Sequence, residues 1–272
     1  MIKQAIIPLA GLGTRMLPLT SIFPKELLPI NGKPNLEYIM DECIEAGVKE
    51  FIFIISPQKK SIKKYFFNDN FYKKILKKKK DKRISYEFKK IKKYKKMIKF
   101  VYQNKPRGTG DAVLKCEKFI NSKYFLMILP DDLIIKKNCS KEMIKLYNKK
   151  KCSVIATKRV NQNTVSRWGI LSLKNKKNNS FQITNVIEKP KIKEAPSNYA
   201  IIGRYILPRK IMKEIKKLRP GQGNEIHVTD AIKNLIYKGE IFYGNIFKGK
   251  YLDCGTINGY IESGKEIFRI KK

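Results

Sequence analysis

Ile2-Lys3-Gln4-Ala5-Ile6-Ile7-Pro8-Leu9, followed at once by Ala10-Gly11-Leu12-Gly13-Thr14, is the stretch on which the fold class turns. The first eight residues are mostly apolar or β-branched and read as a buried strand; the glycines then break it, so the strand enters a tight turn. Downstream, Asn35 can cap a helix whose Leu36, Ile39, Met40, Cys43 and Ile44 share one face, and Gly47 closes it. Phe51-Ile52-Phe53-Ile54-Ile55 then reads as a second strand buried on both faces. A strand, a crossover helix and another buried strand make a unit of a parallel sheet, so the sequence predicts an α/β fold.

The pattern continues along the chain. Phe100-Val101-Tyr102 reads as a strand, and Phe125-Leu126-Met127-Ile128-Leu129 as another that stops at Pro130-Asp131-Asp132. Further strands are predicted at Ser153 to Thr157, Gly169 to Leu173, Phe181 to Ile187 and Tyr199 to Leu207, with helices at about 209–218, 229–238 and 256–268. No linker or internal repeat interrupts the 272 residues, which are read as one domain over 1–272. No run approaches the ~18 unbroken apolar residues of a membrane span, and no small-residue cleavage site follows the first strand. The five cysteines are scattered, without a C-x-x-C pair, and read as reduced thiols in a cytoplasm.

Charge is the most conspicuous property. Sixty basic residues against 23 acidic ones give +37, a balance that ordinarily suggests a nucleic-acid partner. Nine Arg against 51 Lys argues otherwise, because a duplex-reading surface leans on the bidentate arginine fork. Between Lys59 and Lys99 stand 19 basic and 3 acidic residues, with Ile62, Tyr65, Phe66, Ile75 and Leu76 at amphipathic spacing. This reads as a lysine-rich outer segment at about 59–99, built of helix and loop. Abundant Lys, Asn and Ile are what A/T-rich codons specify, so compositional drift explains the excess more simply than a nucleic-acid function.

Several residue sets can carry chemistry. Gly11-Leu12-Gly13-Thr14-Arg15 after a first strand can aim backbone N–H groups at phosphate oxygens, yet it fits neither the Walker pattern nor the dinucleotide pattern. Pro24-Lys25-Glu26 can bring a second cation to the same loop. Asp131-Asp132 at a strand exit and Asp253 at the end of another apolar segment offer hard carboxylate oxygens of the kind that hold Mg²⁺ beside phosphates. Glu188-Lys189-Pro190 pairs an acceptor for sugar hydroxyls with a cation. His227, the one histidine, is read as an exposed loop residue, which leaves no histidine for a triad or a zinc site.

Taken in order, Gly11-Leu12-Gly13-Thr14-Arg15-Met16-Leu17-Pro18, Pro24-Lys25-Glu26-Leu27-Leu28-Pro29, Leu129-Pro130-Asp131-Asp132, Glu188-Lys189-Pro190, Ala195-Pro196-Ser197-Asn198, Gly203-Arg204-Tyr205 and Asp253-Cys254-Gly255 resemble the bacterial UTP:glucose-1-phosphate uridylyltransferases. The resemblance spans nearly the whole chain. It implies a Rossmann-like mixed, mostly parallel sheet flanked by helices, in an enzyme that takes UTP and α-D-glucose 1-phosphate with Mg²⁺ and releases UDP-glucose and pyrophosphate. By the same resemblance Ala10, Gly11, Gly13, Gln103 and Gly108 serve the nucleotide, Arg15 and Lys25 its triphosphate, and Asp131 and Asp253 the metal. Gly169, Glu188 and Gly203 bind the sugar, Lys189 holds its phosphate, and the protein is a homo-oligomer. Ala10-Gly11-Leu12-Gly13 and Gly203-Arg204-Tyr205 look more like the uridylyl than the thymidylyl branch, which stands as the near alternative; a basic nucleic-acid binder on a decayed enzyme fold is the distant one.

The chain departs from the family pattern at named positions. Ser21 stands where a Lys is usual, Tyr102 for Arg, Thr109 for Leu, Asp111 for His and Trp168 for Tyr, and little chain follows Phe268. Asp111 is expected to bring a negative charge toward the polyanion and so weaken UTP binding.

Overall fold

The structure, a computed structural model, describes residues 2–271. Among them nine strands form the main sheet: β1 Gln4–Pro8, β2 Glu50–Ile55, β3 Ile98–Tyr102, β4 Tyr124–Ile128, β5 Ser153–Arg159, β6 Gly169–Lys177, β7 Ser180–Glu188, β8 Tyr199–Pro208 and β9 Phe242–Ile246. Their spatial order is β3-β2-β1-β4-β8-β5-β9-β7-β6. β3, β2, β1 and β4 are mutually parallel, joined through helices, whereas β8 runs antiparallel to both β4 and β5, and β7 to both β9 and β6. The sheet is mixed, as the resemblance implies. Parallel pairing unites the first four strands and recurs between β5 and β9, while the short β6–β7 connection permits only an antiparallel return.

Alternation along the strands builds two apolar layers. Ala5, Ile7, Phe51, Phe53, Ile55, Leu126 and Ile128 face one core, closed by helices Asn35–Glu45, Lys60–Phe67, Lys82–Lys95 and Cys139–Lys150. Ile6, Ile52, Ile54, Phe125 and Met127 face the other, closed by Thr109–Lys115, Ile211–Ile215 and Val228–Tyr237. Arg204 on β8 is fully buried beneath the first layer, its Nη2 donating to Glu42 Oε2 at 2.8 Å.

Outside the main sheet a two-stranded antiparallel ribbon joins Asp132–Ile135 to Lys250–Asp253 and sets Asp253 opposite Asp132. Helix Ile257–Lys271 follows it. The lysine-rich segment folds as helices Lys60–Phe67, Asp69–Lys78 and Lys82–Lys95, anchored where Phe66 packs edge-on against Phe53 and Tyr94. One residue contradicts its description as an outer segment: Lys59 is buried, because its amine is enclosed against Glu26.

Two further expectations are corrected. Asn35 does not cap its helix; it lies inside the first turn, where its Nδ2 donates to the Pro130 carbonyl at 2.7 Å. His227 is buried rather than exposed, at the start of Val228–Tyr237. Among the described residues no helix is long and apolar enough to cross a membrane.

Candidate active site

The turn after β4 is the center of the site, and three hydrogen bonds from distant parts of the chain fix it. Leu129 N–H donates to Gly203 O at 2.7 Å, Asn35 Nδ2 to Pro130 O at 2.7 Å, and Cys254 N–H to Asp131 O at 2.8 Å. The Asp131 carboxylate is thereby held at the carboxyl end of the parallel strands, where open α/β sheets bind ligands. Two cavities meet there, and Leu129 and Asp131 line both.

The first cavity, of about 420 Å³, lies over the glycine turn. Ala10, Gly11, Gly13, Lys25, Gln103 and Gly108 line it, with Leu12, Thr14, Glu26, Thr109 and Glu225. Gly108 has a φ of +94°, and a Cβ there would lie 2.6 Å from the Ile226 carbonyl, so only glycine lets the two loops close this wall. The second cavity, of about 470 Å³, holds Arg15, Gly169, Glu188, Lys189, Gly203 and Asp253, with Arg167, Trp168, Tyr205, Thr229 and Tyr251. Thr229 Oγ1 donates to Glu188 Oε2 at 2.9 Å and leaves the other carboxylate oxygen to the cavity. Lys189 takes a left-handed backbone (φ 46°) just beyond β7, with its N–H bound to the Trp168 carbonyl at 2.9 Å. A Cβ on Gly203 would lie 2.3 Å from Asp132 Oδ2, so the absence of a side chain there preserves the cavity floor.

Arg15, Lys25, Asp131 and Asp253, drawn from four distant stretches of sequence, converge. Lys25 Nζ lies 2.7 Å and Arg15 Nη2 3.2 Å from Asp131 Oδ2. A Cβ on Gly255 would stand 2.8 Å from Asp131 Oδ2, 2.8 Å from Arg15 Nη2 and 3.2 Å from Asp253 Oδ1, so these groups surround one small space. Burial pushes the Asp131 carboxyl up, but Lys25 and Arg15 outweigh it and hold the group below its ordinary value. Burial likewise lowers the Lys25 amine, which Asp131 and Glu26 more than reverse. Asp132, buried beside the Asp131 charge, is pushed up to about 6, against the pull of Arg204 and of the Tyr251 hydroxyl donating at 2.7 Å.

Two oxygens from separate carboxylates, with room between them and cations alongside, suit Mg²⁺, which commonly takes one or two protein carboxylates and completes its shell with phosphate and water. Among the described residues no cluster of three or more His, Cys, Asp or Glu forms a cage for a metal bound by protein alone.

Sequence reasoning missed several site residues. Lys59 closes a bidentate pair with Glu26 at 2.7 and 2.8 Å behind the first cavity; it is hidden among similar lysines. Thr229, Tyr251 and Arg167 gave no motif signal. Of the departures, Trp168 meets Tyr251 edge-on at 5.8 Å, Thr109 Oγ1 accepts from Val228 N–H at 3.2 Å, and Ser21 donates to the Pro18 carbonyl. Asp111 does not face the first cavity as expected. It sits behind Gln103 and accepts a hydrogen bond from it, facing an outer cleft with Tyr102, Lys105 and Arg107.

Comparison with known proteins adds the following. The sequence pattern of the family described as Nucleotidyl transferase matches residues 4–269. A chain of Methanocaldococcus jannaschii is 39% identical over 270 residues, covering 98% of this chain and 93% of that one. The UTP–glucose-1-phosphate uridylyltransferase of Mycoplasma pneumoniae is 35% identical over 268 residues, covering 96% and 91%. A crystal structure of UDP-glucose pyrophosphorylase complexed with UDP-glucose superposes with a TM-score of 0.88 at 34% identity, covering 99% of each chain.

Proposed function

The chain belongs to the Nucleotidyl transferase family, and from that premise we propose that it converts UTP and α-D-glucose 1-phosphate into UDP-glucose and pyrophosphate. The observation that carries this reading is the meeting of two cavities at Asp131, whose carboxylate is bound by Lys25 from the wall of the first cavity and by Arg15 from the wall of the second. The nucleotide takes the cavity over the glycine turn and the sugar phosphate the one beside Glu188 and Lys189. That arrangement brings the α-phosphorus and the sugar's phosphate oxygen to the junction.

The chemistry matches what the chain possesses. An oxygen of the sugar phosphate, already anionic at neutral pH, forms the new bond to the α-phosphorus. The bond from that phosphorus to the oxygen bridging toward the β-phosphate breaks, and pyrophosphate leaves with the electron pair. No proton has to be removed, so no histidine or other general base is needed. The barrier lies in bringing anions together and in charge gathering on the leaving group, and fixed cations in an in-line geometry lower it. Lys25 and Arg15 turn from Asp131 to the triphosphate, Lys189 holds the sugar's phosphate, and Glu188 accepts from its hydroxyls. Asp131 and Asp253 would hold Mg²⁺, which supplies further neutralisation of phosphate charge.

We place the reaction in the cytoplasm, in keeping with five cysteines that are all unpaired and buried. We further propose a homo-oligomer; exposed Leu17, Ile22 and Phe23 near the site, and Ile261 and Phe268 on the last helix, supply apolar surface for it. The test is pyrophosphate release with each nucleoside triphosphate against glucose 1-phosphate, with and without chelator. UTP is expected to be preferred by about tenfold or more over CTP and dTTP, with activity lost in chelator and restored by Mg²⁺. A preference for dTTP would overturn the base assignment, and turnover in chelator would remove the metal role of Asp131 and Asp253.

A further inference from the structure

Gln103 is the first residue beyond β3, its N–H tied to the Ile55 carbonyl at 3.0 Å, and its side chain lines the first cavity while being almost fully buried. The two ends of a primary amide are nearly the same shape, so what it offers a ligand is set by whatever holds its far side. Here the amide nitrogen meets two acceptors. Nε2 donates to Asp111 Oδ2 at 2.7 Å and to the Gly108 carbonyl at 3.2 Å. The Gly108 carbonyl is held in place, since it also accepts from Ala112 N–H at 3.2 Å and the residues flanking Gly108 are tied to Ile226, through Arg107 O at 2.8 Å and Gly110 N–H at 2.7 Å. Turning the amide over would set its oxygen against a carboxylate and a carbonyl, neither of which can donate. Oε1 is therefore fixed toward the cavity as a pure acceptor.

Asp111 itself is buried on helix Thr109–Lys115, one turn before Lys115, whose amine is 4.0 Å away. We propose that Asp111 is a positioning residue for base selection: by locking the Gln103 amide it makes the first cavity accept a pyrimidine whose N3 carries a hydrogen and reject one whose N3 is a bare lone pair. Uracil and thymine meet that requirement and cytosine does not. The inference rests on the assignment of the first cavity to the nucleotide. It reverses the expectation drawn from charge alone, since Asp111 here supports UTP binding.

The experiment uses the full chain and measures kcat and KM for UTP and for CTP at saturating glucose 1-phosphate, in wild type, Asp111→Leu, Asp111→Asn, Gln103→Ala and the double variant Gln103→Ala/Asp111→Leu. Asp111→Leu is expected to cut the UTP-to-CTP ratio of kcat/KM about tenfold, chiefly through a higher UTP KM, with kcat within about twofold. Asp111→Asn keeps an acceptor but can itself turn over, and falls between. In the Gln103→Ala background the loss of Asp111 should change the ratio no further. A ratio within about twofold of wild type in Asp111→Leu, or an equal loss in the Gln103→Ala background, overturns the inference. Should Asp111→Leu fail to fold in a thermal melt, the isosteric Asp111→Asn decides alone: a lowered ratio supports the lock, and an unchanged one removes it. Failure of the underlying reading would appear separately, as a wild-type chain that does not prefer UTP to CTP, and would take the inference with it.

Discussion

Asp131 and Asp132 are neighbors in sequence with opposite electrostatics. Asp131 is held ionised by Lys25 and Arg15, whereas Asp132, buried against that charge, is pushed up to about 6. Because the folded value of Asp132 lies above the ordinary 3.8, the folded state keeps a proton that the unfolded chain loses first. Its contribution is therefore a loss of stability as pH rises from about 4 to about 6, on the order of 2–3 kcal/mol and level above that window. In chelator, the stability of Asp132→Asn minus that of wild type, taken from urea unfolding, should grow across this window and then flatten. A difference that stays constant with pH would refute the assignment. The sequence revealed the tandem acid at a strand exit but could not divide the two roles, because the division depends on cations more than a hundred residues away. Arg204 shows the same limit. It was legible as part of Gly203-Arg204-Tyr205, while its burial against Glu42 depends on a residue 162 positions earlier in the chain.

At the scale of elements, the segment Pro24–Leu28 carries Lys25 into the first cavity and is secured from behind by Glu26 paired with Lys59. Removing one partner of a buried ion pair leaves an uncompensated charge, so Lys59→Ala should cost about 3–5 kcal/mol, against less than ~0.5 kcal/mol for Lys60→Ala on the exposed side. Thermal melts of both variants check this, and equal melting temperatures would show that the tether does not matter. Buried strands were legible wherever an apolar run was unbroken, as at Phe51–Ile55 and Phe125–Leu129, because burial on both faces imposes that composition. Helix Cys139–Lys150 and strand Phe242–Ile246 were not: the first is diluted by lysine, and the second is short and contains Gly244 and Asn245. The ribbon was also invisible, since neither Asp132–Ile135 nor Lys250–Asp253 indicates its partner.

Over the whole molecule, the basic excess is densest on the helices from Lys60 to Lys95, which carry +13 of the +37, and Asp69–Lys78 among them has no buried residue at all. Surface charges of this kind contribute little to stability individually. Replacing the exposed Lys77, Lys78, Lys79 and Lys80 by Gln should shift the melting temperature by no more than about 1–2 °C and leave kcat unchanged, with at most a modest rise in UTP KM at low salt. A large fall in kcat would show that the lysine-rich segment takes part in turnover. The α/β class and the motif residues of both cavities, such as Gly11, Gln103, Glu188 and Gly203, were readable because strand ends, glycine turns and acids occur in a fixed order. How the cavities abut was not, because it depends on the pairing of distant strands. That pairing bears on how the molecule is made. Asp253 belongs to a strand that follows every strand of the main sheet in the chain. Synthesis on the ribosome thus completes the scaffold before it supplies the second acid, and a polypeptide released between the two would be a sheet with its cations and only half of its acid pair.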